Sequence, residues 1–284
     1  MTDPDLAGRV CVVTGASRGI GTVTARRLAE MGATVALVGR DPVASSQALA
    51  EVREASGRSN ATLHLTDFAS LTAVRRLAAD LLAAHPRIHV LVNNAGLWLN
   101  SRQESEDGFE KTLAVNHLAP FLLTNLLLER MKESAPARIV NVASTAHHAA
   151  RGVGFDDLML EKRYVGNAAY SRSKLANVLF TRELARRIAG SGVTATCCHP
   201  GSVATDLGRD PGLSKLLYTL GRVVMVGPEK GARTQVWLAS DPDVEGESGG
   251  YYSRKHRGRP SKAAQDDAAA GRLWDVSARL VGLT

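Results

Sequence analysis

The sequence predicts an α/β fold: a single domain built on a doubly wound parallel sheet of about seven strands, with helices on both faces. Three observations predict it. Short apolar runs alternate with longer stretches of helical spacing along the whole chain. The runs are rich in β-branched residues and lack polar alternation, which is how strands read when both faces of a sheet are covered. No composition shift or internal repeat divides the 284 residues, and single α/β domains reach this length. One domain over 1–284 is therefore expected.

The strand-like runs lie at 10–14, 34–38, 62–66, 89–93, 138–142 and 193–198, and a late run at 250–253 adds a final strand. Between them, Leu71, Val74, Leu77, Leu81 and Leu82 recur at helical spacing, as do Leu175, Val178, Leu179 and Leu184. Strand–helix alternation of this kind makes a parallel sheet. Ligands of such a sheet bind beyond the carboxyl ends of the strands, where the strand order reverses.

Composition excludes several classes. A hydrophobic fraction of 44% and a charged fraction of 22% describe a chain with a large core, not a disordered one. Part of the net charge of +7 comes from Arg254, Lys255, His256, Arg257, Arg259 and Lys262. That run has no interleaved aromatics and matches no nucleic-acid motif, so it reads as a solvated loop, with no nucleic acid as partner. Cys11, Cys197 and Cys198 have no metal-ligand spacing, and no metal is expected. Adjacent strand residues point to opposite faces, so Cys197 and Cys198 should not bridge, which suits a reducing compartment. The first residues, MTDPDLAGR, are polar and no apolar run is long enough to cross a bilayer. A cytoplasmic location is the expectation.

The first strand runs into Thr14-Gly15-Ala16-Ser17-Arg18-Gly19-Ile20-Gly21, and a helical pattern follows over about 22–31. Glycines allow a tight turn and close approach to a diphosphate, and the helix N-terminus offers free N–H groups. A plain strand-to-helix turn is the alternative. A ribose 2′-hydroxyl is ordinarily held by an acid at the end of the second strand. That place is Gly39 here, followed by Arg40, with Arg18 on the same side. Two guanidinium groups suit a 2′-phosphate, which points to NADP(H) over NAD(H). The alternative is that Arg40 pairs with Asp41 on the surface.

Tyr170 and Lys174 stand four apart in a helical pattern and so share a face. A phenol has an ordinary pKa of about 10, and a neighbouring ammonium favours its phenolate. An exposed helical pair without a role is the plainer reading. Ser144 ends the fifth strand and faces the ligand crevice, where it would orient a reacting oxygen; otherwise it starts a loop. Asn116 falls in the middle of a helix, where asparagine is a poor helix former. It either holds a water for proton relay or satisfies a local backbone group.

Together these residues resemble the short-chain dehydrogenase/reductase family. The resemblance rests on TGASRGIG at 14–21, NNAG at 93–96, Asn116, Ser144, Tyr170-x-x-x-Lys174 and His199-Pro200-Gly201, and spans about 9–282. It implies a Rossmann-type fold and an NADP(H)-dependent enzyme that moves a hydride between the cofactor and a carbonyl or alcohol. It implies that Tyr170 is the general acid/base, Lys174 its tuner and a ribose ligand, Ser144 the substrate-oxygen ligand, and Asn116 the relay anchor. The implied cofactor contacts are Gly15, Ser17, Arg18, Gly19, Ile20, Gly21, Arg40, Asp67, Phe68, Asn93, Ala95, Gly96, Pro200, Gly201, Val203 and Thr205, besides Tyr170 and Lys174. A closer likeness, to the retinol dehydrogenase and WW-domain oxidoreductase branch, is carried by 115–128, 144–148 and 169–177, and by the Glu-Lys-Gly-Ala run before Trp237. Without that branch's N-terminal membrane segment or extra domain, the chain suits a soluble, bacterial relative.

In this family the segment at about 205–228 covers the substrate. Its Leu213, Leu216, Leu217, Leu220, Val223, Val224 and Met225 make it either a lid over a lipophilic or aromatic aldehyde or ketone, or a packing surface. His147 and His148 receive no role. Helices at about 105–131 and 168–188 resemble those that pair subunits in the family, which implies a homodimer or homotetramer. A catalytically silent NADP(H)-binding regulator is the competing reading, since fold alone does not establish activity. An isomerase or epimerase that recycles its cofactor is the third, though this chain has little room for the larger substrate domain those carry.

Overall fold

The computed structural model describes residues 4–57, 60–201 and 227–283. The eight strands are β1 (Val10–Thr14), β2 (Thr34–Gly39), β3 (Thr62–Leu65), β4 (Val90–Asn93), β5 (Ala137–Val142), β6 (Val193–His199), β7 (Tyr251–Ser253) and β8 (His256–Arg257). They form one sheet in the order β3-β2-β1-β4-β5-β6-β7-β8, parallel up to β7, with β8 antiparallel at the edge. The order reverses between β1 and β4, and that is where a ligand crevice opens.

Alternate strand residues feed two cores. Val12, Ala36, Leu91, Ile139 and Ala195 face α3 (Leu71–Ala84), α5 (Ala119–Glu133) and α6 (Gly166–Arg187). Cys11, Val13, Val35, Leu37, Val92 and Val140 face α1 (Gly19–Glu30), α2 (Pro42–Ser56) and α7 (Pro228–Ser240). Both faces being apolar is why the strands show no polar alternation. Cys197 and Cys198 fall into different cores, as strand alternation requires, and all three cysteines are buried free thiols.

One helix is interrupted. The short α4 (Lys111–Leu113) passes through a π-helical turn, Ala114–Leu118, into α5. Pro120 has no N–H to give the carbonyl four residues back, and the ladder slips so that the Ala119 N–H reaches the Ala114 oxygen. The extra residue turns both Asn116 and His117 into the interior, where neither is exposed.

One expectation changes. The final strand is followed by β8, an eighth strand the sequence did not announce, so part of the basic run is a hairpin rather than a loop. Its turn, Arg254–Lys255, holds two non-glycine residues at φ +52° and +63°; a tight hairpin turn of this hand is ordinarily marked by Asn-Gly or Asp-Gly, and here that mark is missing. The C-terminal helix α8 (Asp267–Leu280) lies along α6. Trp274 packs edge-on against Phe121 at 5.0 Å and near Phe180 at 5.9 Å. The Ser277 hydroxyl bonds His117 Nε2 at 2.8 Å. Part of α6, one of the helices expected to pair subunits, is thus covered by the chain's own last helix. The expected substrate cover at 205–228 lies, but for its last two residues, outside the described residues, and so do Val203 and Thr205. Among the described residues no helix is long and apolar enough to cross a membrane.

Candidate active site

Thr14, at the carboxyl end of β1, joins the two sides of the switch point. Its hydroxyl donates to the Val92 carbonyl at 3.3 Å and accepts the Asn94 and Ala95 N–H groups, each at 3.0 Å. The Asn94 amide closes the connection by donating to the carbonyls of Thr14 and Gly15 at 2.8 and 3.1 Å. Thr14 and Asn94 lie inside the quoted motifs, yet neither was singled out, because their work is between segments about 80 residues apart.

The glycines are there for space and handedness. Gly15 and Gly19 sit at φ +64° and +61°, where a side chain strains the backbone. A Cβ on Gly15 would lie 2.8 Å from the Ala95 Cα, and one on Gly21 would run into the Gly15 carbonyl. Helix α1 then opens at Gly19, with Ile20 buried and the exposed Arg18 before it, with no side-chain cap and no acid in its first turn. Twelve residues of helix therefore present free N–H groups and a positive dipole end. This cradle fits a dinucleotide diphosphate, with Gly15, Ser17, Arg18, Gly19, Ile20 and Gly21 to hold it.

Beyond it, at the end of β2, Arg18 and Arg40 stand around one acid, Asp41. A Cβ on Gly39 would meet the Ser45 hydroxyl, which can rotate away, and come within 3.2 Å of the Ser17 Cβ; the place is tight, and it carries no acid. Arg40 is exposed next to it. Asp41 does not turn toward a ribose: its Oδ1 caps α2 by accepting from the Ala44 N–H at 2.9 Å, and its Oδ2 pairs with Arg18 at 3.2 Å. The Ala44 hydrogen bond first, and the charges of Arg18 and Arg40 after it, hold this carboxyl below its ordinary range. The pairing partner of Asp41 is thus Arg18, not Arg40. Asp67 is half-buried and accepts from the Ala69 N–H at 2.9 Å, whereas the Phe68 ring is buried in the core. Phe68 therefore has only its backbone to offer a cofactor.

Asn93 is likewise turned inward. Its amide donates to Thr124 Oγ1 at 2.9 Å and to Asn141 Oδ1 at 2.8 Å, and Asn141 donates in turn to Thr181 Oγ1 at 2.9 Å. These bonds tie α5, β4, β5 and α6 together; the side chain supports the sheet and does not reach the crevice. Ala95 and Gly96 line it by backbone. A Cβ on Gly96 would stand 3.3 Å from Asn116 Oδ1 and 3.4 Å from Lys174 Nζ. Pro200 and Gly201 follow β6 at the crevice, both half-buried, with Gly201 at φ +93°.

The reacting groups converge on α6. Lys174 is 3% exposed, its Nζ donates to the Val142 carbonyl at 2.9 Å, and it stands 5.6 Å from the Tyr170 ring centre. Burial lowers this ammonium from its ordinary 10.5 to about 8. Tyr170 is pushed the other way: burial raises it, and the Ser144 hydroxyl partly offsets that. The expected lowering of the phenol by Lys174 is not found among these protein groups; the phenol stays protonated, a form suited to giving a proton. Ser144 is extended, and its hydroxyl accepts the Ala146 N–H at 3.1 Å, opening a 3-10 turn over Thr145–Ala149. Asn116 accepts the Leu97 N–H at 2.7 Å, and donates to the Leu97 carbonyl and to Ser173 Oγ, both at 2.9 Å. Ser173 donates to the Tyr170 carbonyl at 2.8 Å. Asn116 is thus linked to the Tyr170 backbone through Ser173, a residue sequence reading passed over.

A separate cavity of about 400 Å³ lies behind α6, walled by Phe155, Leu175, Leu179 and Arg272 among others. Neither Ser144 nor Tyr170 lines it, so it is not the reacting cleft. Among the described residues no cluster of three or more His, Cys, Asp or Glu is placed to hold a metal ion.

A dinucleotide cradle, a half-buried tyrosine beside a buried lysine, and a serine at one crevice define a nicotinamide-dependent oxidoreductase site. Comparison with known proteins agrees. The family model described as short chain dehydrogenase matches residues 9–212. Retinol dehydrogenase 12 from Homo sapiens is 44% identical over 282 residues, covering 99% of this chain and 89% of its own. Retinol dehydrogenase 11 from Mus musculus is 43% identical over 278 residues, covering 98% and 88%. Among solved structures, an uncharacterized protein from Mycobacterium paratuberculosis superposes with a TM-score of 0.79 at 34% identity, over 99% of this chain and 96% of that one. The RhlG/NADP active-site complex from Pseudomonas aeruginosa gives 0.68 at 28% identity, over 88% and 96%. The chain belongs to the short-chain dehydrogenase/reductase family of oxidoreductases, in its retinol dehydrogenase-like branch.

Proposed function

We propose that the protein is an NADP(H)-dependent carbonyl reductase acting on lipophilic or aromatic aldehydes or ketones. The observation that carries the cofactor reading is the end of β2: a glycine, Gly39, stands where an acid would hold a ribose 2′-hydroxyl, Arg40 is exposed, and Asp41 is engaged with α2 and Arg18. Guanidinium groups there suit a 2′-phosphate. The 28%-identical RhlG/NADP complex supports the same choice.

NADPH, when bound, supplies the hydride. The chain supplies the rest. Gly15 to Gly21 with the start of α1 hold the diphosphate, Asp67 lies at the adenine side, and Lys174 is in reach of a ribose. Val203 and Thr205 remain the proposed nicotinamide contacts. Ser144 orients the substrate oxygen, Tyr170 Oη gives it a proton, and Lys174 compensates the resulting phenolate. Asn116, through Ser173, keeps Tyr170 in place. The retinol dehydrogenase relatives support a lipophilic substrate, with 205–228 proposed as its cover. The buried free thiols suit a cytoplasmic location. The homodimer or homotetramer implied for the helices at about 105–131 and 168–188 is set against a monomer in this reading, since α8 packs along α6.

Loss of reduced-nicotinamide absorbance is the test, with NADPH and NADH each offered against aromatic, aliphatic and isoprenoid aldehydes and ketones. Turnover with NADPH well above NADH is expected. NADPH binding without turnover on any member would instead favour the silent regulator.

A further inference from the structure

His147 is fully buried three residues after Ser144, and no step proposed for the reaction uses it. It lies in the 3-10 turn that Ser144 opens. Its backbone N–H donates to the Ser144 carbonyl at 3.2 Å, and its ring Nδ1 meets the same carbonyl at 2.5 Å. On the far side of the ring, Nε2 receives the Ser261 N–H at 3.1 Å. A backbone N–H only donates, so Nε2 must present a lone pair and Nδ1 must carry the proton. The tautomer is thus fixed by two backbone groups from distant parts of the chain.

The surroundings keep the ring neutral and still. The His148 ring is 4.1 Å away and the Tyr251 ring 4.9 Å, edge-on. Burial lowers the affinity of His147 for a second proton, and the Ser144 hydrogen bond only partly opposes this. Ser261 is itself anchored: its carbonyl accepts the Ala264 N–H at 3.0 Å, and Ala264 is fully buried in the core formed with Leu175 and Leu179. A second strut, the Thr145 N–H donating to His199 Nδ1 at 3.3 Å, ties the same turn to the end of β6.

We propose that His147, as its neutral Nδ1–H tautomer, is a positioning residue that braces the Ser144 carbonyl against the Ser261 backbone and so aims the Ser144 hydroxyl at the substrate oxygen. This rests on the reading of Ser144 as the substrate-oxygen ligand. A side chain misplaced by about 1 Å costs on the order of 100-fold in rate, which sets the scale.

The test uses two variants that each keep one half of the ring's bonding. In His147→Asn the amide N–H stands near the Nδ1 place and keeps the bond to Ser144; in His147→Gln the amide reaches the Nε2 place and keeps the bond to Ser261. Each loses one buried hydrogen bond, so their melting temperatures should fall alike. The rates should not: kcat with NADPH and the best aldehyde of the panel should stay within about 3-fold in His147→Asn and drop about 10- to 100-fold in His147→Gln, with the NADPH dissociation constant unchanged in both. Imidazole 15N NMR of the unliganded wild type should show the Nδ1–H tautomer. Equal kcat in the two variants, or an Nε2–H tautomer, overturns the proposal. A parallel Ser144→Ala separates the causes: if its kcat is unchanged, the assigned role of Ser144 falls and this proposal with it; if its kcat collapses while His147→Gln is normal, only the positioning role is lost.

Discussion

At the scale of single residues, charge placed where it is hard to keep decides the chemistry. Lys174 is held nearly without water, with one carbonyl as partner and an ammonium lowered to about 8. Its folded value is below the unfolded 10.5, so between those values the unfolded chain binds more protons and this group's penalty shrinks as pH rises. The three buried cysteines act in the opposite direction above about 9, since burial raises each of them. A comparison with Lys174→Met cancels their share. The stability of the wild type relative to Lys174→Met should rise between about pH 8 and pH 10, by up to about 1.4 kcal/mol per unit, in urea unfolding. A flat difference would mean the lysine is not desolvated as described. Arg40 is the other telling residue. Arg40→Ala should weaken NADPH about 10- to 100-fold and NADH hardly at all by fluorescence titration, the size of a charge-assisted hydrogen bond. Equal losses would place the 2′-phosphate elsewhere.

At the scale of elements, local rules were readable where they concern neighbours in the chain. The seven parallel strands, the glycine turn and the Tyr170–Lys174 face follow from periodicity and spacing that a single segment displays. What stayed hidden was settled between segments: the Thr14–Asn94 clasp, the Ser173 link, and the His147 and His199 struts each join residues tens of positions apart. The π-helical turn had a readable cause in Pro120, and Asn116 was noticed for its poor helix propensity, but the register slip itself depends on the helix continuing past the proline. The last hairpin was missed for a chemical reason. Arg254 and Lys255 occupy left-handed positions that cost a side chain roughly 1–2 kcal/mol each. Replacing them together, Arg254→Asn with Lys255→Gly, should stabilise the protein by about 1–2 kcal/mol in urea unfolding. No gain would show that the cationic side chains offset the backbone cost by contacts of their own.

At the scale of the whole molecule, α8 closes one layer. Trp274 seats against Phe121 and Phe180, Arg187 lies 4.3 Å over the Trp274 ring, and Ser277 bonds the buried His117. With α8 packed along it, less of α6 is left for pairing two chains. Light scattering on the full chain should therefore give the 30.2 kDa monomer. A dimer or tetramer mass would mean that assembly uses a surface α8 leaves free.

The central claim is that this crevice reduces a carbonyl with Tyr170 giving the proton. The direct measurement is NADPH consumption by the wild type and by Tyr170→Phe on the best aldehyde of the panel, with NADPH affinity taken from the same samples. Removing a general acid of this kind costs about 100- to 10,000-fold, so kcat should collapse by that factor while NADPH still binds. A Tyr170→Phe protein that turns over at the wild-type rate would contradict the mechanism.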